Sequence, residues 1–320
     1  MNKRTLLIAI LAVALLAVIA IVFTARGGSE NSTSQGGNTL SITHAQGTTP
    51  VPANPQKVVV FDVGVLDTMD ALGAKAIGTP TARYPDYLAQ YAGTDAKRVG
   101  TLFEPDYETI VAMQPDLIIV GGRAAAKYNE LSKIAPTIDL TVDRENYIAS
   151  TIEITNTLGR IFGKEKEAAD AVKSLQASVD ALKAKTANAG KALVILTTGG
   201  RMSAYGPGSR FGVAHKEFGF APARPDLNVS NHGESINAEF ILETDPDWLL
   251  VVDRDAATGQ GEAAARQVLN NELVNRTKAA RNNRIVYLDP LSWYIVAGGL
   301  RSTQTMIKQL DDAVSASPAA

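Results

Sequence analysis

Two stretches of the chain share one pattern. Residues 107–123 read YETIVAMQPDLIIVGGR, and residues 238–254 read AEFILETDPDWLLVVDR. Aligned without a gap, they match at the second-position glutamate, the Pro-Asp pair, the apolar run and the final arginine. Each copy predicts a helix, a turn and a buried strand that ends in an arginine. Because a repeat marks a duplicated supersecondary unit, we predict two similar lobes.

Strands and helices alternate on both sides of the repeats. Apolar runs that predict strands occur at residues 57–61, 117–120, 192–196, 248–252 and 285–288. Continuous apolar strands separated by helices are typical of parallel sheets that helices cover on both faces. We therefore predict an α/β fold with an N-terminal lobe at residues 56–146 and a C-terminal lobe at residues 189–320.

Residues 147–188 differ from both lobes. They have helical periodicity and almost no helix breakers, with Gly159 and Gly163 as the weakest positions. A coiled-coil helix that pairs with another chain is one interpretation. Since the stretch lies between two α/β segments, we favour one long α-helix that joins the lobes.

The N-terminus has the pattern of an export signal. Two cations at Lys3 and Arg4 precede the uncharged run from Leu6 to Phe23. The run is just long enough to span a bilayer, so residues 1–26 are predicted as a signal peptide or a membrane anchor. In either case the rest of the chain is expected outside the cytoplasmic membrane, in the periplasm. Residues 27–55 are rich in Gly, Ser, Thr and Asn, and we predict a flexible linker with a solvated His44.

Composition excludes several classes of site. The chain has no Cys, 3 His and a formal net charge of −2. Without cysteine there is no lipoprotein anchor, disulfide, thiolate metal site or Cys nucleophile. The few histidines argue against a zinc or manganese receptor, and the near-neutral charge argues against nucleic-acid binding. An enzyme on paired lobes is a further alternative, but no G-x-G-x-x-G, P-loop or Ser-His-Asp pattern supports it, and we predict that the protein is not an enzyme.

Arginines mark the predicted ligand edge. Arg123 and Arg254 follow the carboxyl ends of the repeated strands, where open α/β sheets bind ligands. Arg210 follows another strand within the glycine-rich loop GPGSRFG. Planar guanidinium groups suit an anionic ligand rich in oxygen. The alternative is that these arginines are surface ion-pair partners.

The repeat also pairs two glutamates. Glu108 and Glu239 lie near the start of the helix that precedes each repeated strand, and we expect them on the outer surface opposite the ligand edge. A single glutamate there stabilises the helix dipole. Two glutamates related by the repeat also place one negative charge on each lobe, an arrangement that suits a two-fold symmetric partner.

Five further segments carry a family resemblance. They are Gly122-Arg123, Gly208–Gly212 (GSRFG), Asn231–Asn237 (NHGESIN), Val252–Asp255 (VDRD) and Tyr287–Tyr294 (YLDPLSWY). With these segments in this order, residues 55–316 resemble the periplasmic binding proteins of ABC importers for iron–siderophore complexes and vitamin B12. The likeness is greatest to binders of catecholate siderophores. It implies two Rossmann-like lobes joined by one long helix.

The resemblance also implies roles for individual residues. It makes His232 and Tyr294 ligands to Fe(III), and it makes Arg123, Arg210 and Arg254 the groups that hold the anionic catecholates. Glu108 and Glu239 become docking residues for the permease. Without the resemblance, His232 is interpreted as a turn residue and Tyr294 as a core residue. His215 is predicted to be structural.

Coordination chemistry agrees with these roles. Fe(III) favours anionic oxygen, so two catecholates supply four ligand atoms and leave two of six positions for a phenolate and an imidazole. We predict a monomeric receptor that captures ferric bis- or tris-catecholate siderophores and delivers them to the permease dimer of an ABC transporter. No permanently bound cofactor is expected. The rival hypothesis is a haem or cobalamin receptor of the same fold, with Tyr294 or His232 as an axial ligand.

Overall fold

The computed structural model describes residues 39–317, except residues 94, 228–229 and 262–263. The predicted export signal at residues 1–26 and the first part of the predicted linker lie outside the described residues. Within the described ranges, none of the helices combines the length and apolar character needed to cross a membrane.

Part of the predicted linker is a β-hairpin. Strands β1 (Thr39–His44) and β2 (Gly47–Pro52) pair in antiparallel register. Ile42 and Val51 lie on one face of the hairpin and are buried in the N-terminal core. The prediction of a flexible linker over residues 27–55 is therefore wrong for residues 39–52. The segment is also bonded to the lobe, where the Ala45 amide donates to the Asp139 carbonyl (3.2 Å) and Gln46 Nε2 donates to Asp139 Oδ2 (3.0 Å).

The N-terminal lobe is built on a parallel five-stranded sheet with strand order β5-β4-β3-β6-β7. Its elements are β3 (Val58–Val60), α1 (Val63–Ala71), β4 (Gly78–Thr81), β5 (Lys97–Thr101), α2 (Tyr107–Met113), β6 (Leu117–Val120), α3 (Tyr128–Leu131) and β7 (Thr137–Asp139), with 3₁₀ turns at Asp86–Ala92 and Gly122–Lys127. The order of the strands reverses between β3 and β6. The carboxyl ends of strands at such a point form a crevice that binds ligands.

The predicted connecting helix is two helices. They are α4 (Tyr147–Phe162) and α5 (Glu165–Thr186), of 16 and 22 residues. Helix α4 ends at Gly163, which has a left-handed backbone (φ 62°) that reverses the chain. An uninterrupted helix over residues 147–188 is therefore wrong.

Helix α5 nevertheless joins the lobes as predicted. Near its start Ala168 packs in the N-terminal core, whereas Leu175 and Leu182 pack in the C-terminal core. Helix α4 runs the other way, from Tyr147 in the C-terminal core to Leu158 in the N-terminal core. The two helices thus form a hairpin that spans both lobes.

The C-terminal lobe has a six-stranded sheet with order β11-β9-β8-β12-β13, and β10 beside the start of β8. Its elements are β8 (Lys191–Thr198), β9 (Arg201–Tyr205), α6 (Val213–Lys216), β10 (Ala221–Pro222), β11 (Glu234–Ile236), α7 (Ala238–Thr244), β12 (Trp248–Asp253), α8 (Arg254–Thr258), α9 (Ala264–Leu269), α10 (Glu272–Asn275), α11 (Lys278–Arg281), β13 (Ile285–Tyr287), a π-helix at Leu291–Ile295 and α12 (Leu300–Ala316). Strand β9 is antiparallel to both neighbours, so this sheet is mixed rather than parallel. The predicted α/β class with two lobes is confirmed.

The sequence repeat is also a structural repeat. Helices α2 and α7 each have 7 residues and end in a left-handed residue, Gln114 and Asp245. The aspartate of each Pro-Asp pair then fixes the start of a neighbouring strand. Asp116 accepts a hydrogen bond from the Lys57 amide (2.9 Å), and Asp247 accepts one from the Lys191 amide (2.8 Å).

A buried contact joins the lobes next to the cleft. The first turn of α12 rests on α1, where the Ser302 amide donates to Asp67 Oδ2 (2.8 Å) and the Leu300 amide donates to Thr68 Oγ1 (3.1 Å). Arg301 forms an ion pair with Asp70 beside them. Burial raises the pKa of the Asp67 carboxyl to about 7. We refer to this contact as the interlobe joint.

The interlobe joint predicts pH-dependent stability. Since the pKa of Asp67 is raised on folding, the folded state binds more protons than the unfolded state between about pH 4 and 7, and stability falls as pH rises through that window. We expect the wild-type free energy of unfolding in urea to drop by about 2–3 kcal/mol from pH 5 to pH 7.5 through this group. In Asp67→Asn, which keeps an oxygen acceptor for Ser302, this part of the drop disappears. Equal pH slopes for both proteins contradict the prediction.

Candidate ligand-binding cleft

A cleft opens between the lobes, mainly at the carboxyl ends of their parallel strands. Its walls are formed in the N-terminal half by Asp62, Phe103, Gly122, Arg123, Thr141, Val142, Arg144 and Tyr147, and in the C-terminal half by Arg210, Asn231, His232, Trp293, Tyr294, Ile295 and Ala297. Its cavity volume is about 260 Å³, near the lower limit of about 300 Å³ for small-molecule pockets. A larger ligand therefore extends from the cleft into solvent.

A π-helical turn places Tyr294 in the cleft. The Val296 amide donates to the Leu291 carbonyl (2.9 Å), which closes the wide turn, and Asp289 accepts from the Ser292 amide (2.7 Å) at its start. Single π-turns occur often at functional sites. Trp293, only 1% exposed, anchors the turn in the core, and its neighbour Tyr294 lines the cleft.

Three arginines surround the Tyr294 ring. The guanidinium carbons of Arg123, Arg210 and Arg254 lie 5.6, 4.6 and 5.9 Å from its centroid, within the range of cation–π contacts. Arg254 Nε donates to the Tyr294 hydroxyl (2.9 Å). Arg123 Nη2 crosses from the other lobe and donates to the Tyr294 carbonyl (2.7 Å). The Tyr294 ring therefore lies among three cations, two of which also hold it by hydrogen bonds.

The charge of the cleft is strongly positive. Burial lowers the pKa of Arg210, and the nearby cations Arg123 and Arg144 lower it further. Burial likewise lowers the pKa of Arg144, again with a contribution from Arg123. Among the described residues of the cleft wall, Asp62 has the one carboxyl group, and burial raises its pKa. Guanidinium groups thus outnumber carboxylates, as an anion-binding site requires.

His232 lies at the tip of a turn. The Gly233 amide donates to the Ser230 carbonyl (3.1 Å), and Ser230 Oγ donates to the Gly233 carbonyl (3.0 Å). Gly233 has a φ of 70°, and a Cβ atom there would lie 2.7 Å from the Ala204 carbonyl oxygen, so a side chain does not fit. The turn presents His232 to the cleft as an exposed residue.

The structure brings together the residues singled out as ligand-binding candidates. Arg123, Arg210, His232 and Tyr294 line one cleft, and Arg254, which is not part of the cleft wall, donates to the Tyr294 hydroxyl. Their roles in binding remain predictions.

The two glutamates are placed differently from what the sequence analysis expected. Glu108 and Glu239 are exposed in the first turns of α2 and α7. These helices follow the carboxyl ends of β5 and β11, so both glutamates stand at the sheet edges on which the cleft opens. The expected position on the opposite surface is wrong, because a helix that follows a strand begins where that strand ends.

Sequence reasoning missed most residues of the cleft wall, among them Asp62, Phe103, Arg144 and Asn231. Asp62, Phe103 and Arg144 follow the carboxyl ends of β3, β5 and β7, and Phe103 is 56% exposed. The rule that identified Arg123 therefore also applies to them. Asn231 precedes His232 and accepts a hydrogen bond from Arg144 Nη1 (2.5 Å), a contact between the lobes that has no local sequence signal.

The other two histidines lie outside the cleft wall. His215 is buried, its Nδ1 is 3.0 Å from the Phe220 carbonyl, and burial lowers its pKa, which agrees with a structural role. His44, expected to be solvated, is half-buried in β1 with Nε2 2.8 Å from Thr49 Oγ1.

Comparison with known proteins identifies the family. The family model described as periplasmic binding protein matches residues 58–291. The chain belongs to this family. The predicted resemblance is thereby confirmed, and the members of this family are binding proteins.

Solved structures of similar proteins agree with this assignment. The petrobactin-binding protein YclQ of Bacillus subtilis is 39% identical over 306 residues, which cover 93% of this chain and 96% of that protein. Its crystal structure superposes with a TM-score of 0.83 and covers 86% of this chain and 98% of that chain. The periplasmic catecholate-siderophore binding protein VctP of Vibrio cholerae is 37% identical with a TM-score of 0.82, over 86% of this chain and 99% of that chain. The siderophore-binding protein BauB, bound to two molecules of acinetobactin and ferric iron, is 34% identical with a TM-score of 0.79, over 86% and 98%.

The two tryptophans give a direct probe of the cleft. Both are only 1% exposed, but Trp293 lines the cleft, whereas Trp248 lies in β12 outside the cleft wall and donates to the Ala189 carbonyl (2.8 Å). We expect Trp293→Phe to remove most of the fluorescence quenching caused by a ferric catecholate, and Trp248→Phe to retain it. The Trp293 indole N–H has no hydrogen-bond partner among the described residues, so phenylalanine sacrifices no such bond. A fluorescence titration that finds the quenching unchanged in Trp293→Phe contradicts the placement of the ligand.

Proposed function

We propose that the protein is an extracytoplasmic receptor that captures ferric catecholate siderophores and delivers them to an ABC importer. The observation that carries this proposal is the convergence of Arg123, Arg210 and Arg254 on Tyr294, with His232 in the same cleft. YclQ is named for petrobactin, VctP for catecholate siderophores, and BauB holds ferric iron with acinetobactin. These relatives support a ferric siderophore as the cargo.

Iron capture uses two side chains of the cleft. A tetradentate bis-catecholate leaves two coordination positions of Fe(III) open, and a phenolate oxygen and an imidazole nitrogen fill them. The Arg254 Nε donor, 2.9 Å from the Tyr294 hydroxyl, holds this oxygen in place for the metal. The exposed His232, which lines the same C-terminal half of the cleft as Tyr294, offers the nitrogen. A hexadentate tris-catecholate fills all six positions by itself.

Charge complementarity attracts the complex. Two doubly ionised catecholates with Fe(III) carry a net charge of −1, and three carry −3. Both complexes suit a wall with Arg123, Arg144 and Arg210. Charged pairs in a partly desolvated cleft interact more strongly than in bulk water, so the arginines contribute to affinity as well as to orientation.

Export and delivery complete the proposal. The pattern of residues 1–26 brings the chain to the periplasm, where it acts as a monomer without nucleic acid and without a permanently bound cofactor. The exposed Glu108 and Glu239, one on each lobe, meet basic residues of the two permease subunits. Their relation through the repeat matches the two-fold symmetry of a permease dimer.

Direct ligation of iron is tested with two variants. We expect Tyr294→Phe and His232→Ala each to weaken a tetradentate ferric bis-catecholate by about 10- to 100-fold, which is about 1.4–2.8 kcal/mol. A hexadentate ferric tris-catecholate should lose less than about threefold, since it needs no protein ligand. Fluorescence titration gives the affinities, and the visible charge-transfer band reports the phenolate.

The same titration separates the proposal from its rivals. If both variants leave the affinity and the spectrum of the bis-catecholate unchanged, direct ligation is wrong. If haem or cobalamin binds and neither ferric catecholate does, the receptor belongs to the alternative class predicted from the sequence.

Docking to the permease is tested by removing the negative charges of Glu108 and Glu239. We expect Glu108→Gln combined with Glu239→Gln to leave the affinity for the ferric complex within about twofold and to lower permease-dependent iron uptake by at least about tenfold. Glu243→Gln is the matched control, since this exposed glutamate lies on the same helix α7 as Glu239. Uptake by cells that carry the importer is the measurement. Equal uptake in the double variant and the control contradicts the docking role.

A further inference from the structure

A short segment of the N-terminal lobe reaches the turn that carries His232. Arg144 Nη1 donates to Asn231 Oδ1 (2.5 Å), and Glu145 forms an ion pair with Lys216. Both contacts run from residues 143–146, which precede α4, to the C-terminal lobe. Asn231 is the residue directly before His232. The segment therefore joins the lobes at the edge of the cleft where His232 lies.

The segment has a rigid base. The Asp143 carboxylate accepts from the Glu145 amide (2.9 Å) and from Asn146 Nδ2 (2.8 Å), and these bonds lower its pKa. The Asp143 amide donates to Ser150 Oγ (3.0 Å) in the first turns of α4. Tyr147, the next residue after the segment, is buried and its hydroxyl accepts from the Gly298 amide (2.6 Å). Hydrogen bonds thus hold the backbone around Arg144 to the start of α4, and Tyr147 at that start is bonded to the C-terminal lobe.

The receiving turn is fixed at its ends but exposed at its tip. Ser230 and Gly233 bond to each other, and β11 pairs with β9 directly afterwards. Asn231 and His232 between them are both exposed. Asn231 and His232 share a four-residue turn, so a hydrogen bond that holds Asn231 also restricts the conformations open to His232. The conformational entropy lost in this way is the cost of keeping a metal ligand in one position. Arg144, from the other lobe, donates this hydrogen bond to Asn231.

We propose that Arg144 is a positioning residue, which holds Asn231 and thereby keeps His232 over the open coordination position of a bound iron. The proposal rests on the proposed function. The pairing suits this role because Asn231 is neutral. It orients the guanidinium without cancelling the positive charge that the anionic complex requires.

The positioning of His232 affects only those ferric complexes that have open coordination positions. Positioning of His232 matters when the ligand leaves iron positions open, as a tetradentate bis-catecholate does. It does not matter when a tris-catecholate fills all six. Arg144 is thereby a determinant of preference for tetradentate over hexadentate complexes.

The test measures both complexes in Arg144→Gln. We expect the affinity for the ferric bis-catecholate to fall about tenfold and its charge-transfer band to move toward that of His232→Ala. Since Arg144→Gln also removes a positive charge from the cleft wall, the ferric tris-catecholate should lose affinity too, by no more than about threefold. Asn231→Ala keeps that charge, so it should weaken the bis-catecholate and leave the tris-catecholate within about twofold. Combining Asn231→Ala with His232→Ala should add little further loss, since the effects act through one residue. Arg276→Gln, which removes an exposed arginine from the end of α10, is the matched control.

Three results would overturn the positioning role. Equal losses for both complexes make Arg144 a direct charge contact to the ligand. No loss in Arg144→Gln or Asn231→Ala, while His232→Ala still weakens the bis-catecholate, removes the role of Arg144 and leaves the proposed function intact. Full additivity with His232→Ala also excludes an action through His232. Failure of the wild-type protein to bind either ferric complex instead rejects the proposed function itself.

Discussion

Both walls of the cleft depend on the interlobe joint. Helix α1 begins directly after Asp62, and α12 begins six residues after Tyr294, so each helix start leads into one wall. Where the helices meet, a Cβ atom at Gly64 would lie 2.8 Å from the Val296 carbonyl oxygen. The backbones can therefore approach only because this position has no side chain. The distance between the walls is set by backbone contact rather than by flexible side chains.

The arginines in and around the cleft donate their hydrogen bonds to neutral groups, so the cleft keeps its positive charge. Arg123 donates to a backbone carbonyl, Arg144 to an amide oxygen, and Arg254 to the hydroxyls of Tyr294 and Thr198. Such acceptors satisfy N–H groups that burial would otherwise leave unpaired. A carboxylate would do the same but would neutralise the charge. The arrangement orders the guanidinium groups in advance while their attraction for an anion remains available.

The repeat made much of the fold predictable. Arg123 and Arg254 follow its strands, and this pattern correctly indicated two lobes and the edge at which the cleft opens. The helix break was missed because Gly163 has helical neighbours on both sides, and a left-handed glycine looks like any glycine in sequence. The β1–β2 hairpin was missed because Ile42 and Val51 are single apolar residues within a polar stretch, and their burial depends on a distant lobe.

The site was predictable only where chemistry and local position coincide. Arg123 and Arg254 stand at strand ends within a repeat, whereas Arg144 stands five residues beyond the end of β7 and has no counterpart in the repeat. Its partner Asn231 is 87 positions away, so only the folded chain reveals the pair. Long-range contacts of this kind carry no periodic pattern, which is why they escape inference from one sequence.

The two repeated arginines have diverged in their contacts. Arg123 crosses the cleft to the Tyr294 carbonyl, whereas Arg254 holds the Tyr294 hydroxyl within its own lobe. Arg210, which lies outside the repeat, contacts the rings of Phe211 and Tyr294 and forms no hydrogen bond to the residues that the structure describes. The guanidinium N–H groups of Arg210 thus form fewer such hydrogen bonds than those of Arg123 and Arg254. The repeat thus provides two arginines that contact one tyrosine, and under the proposed function Arg210 has the most N–H groups available to the ligand.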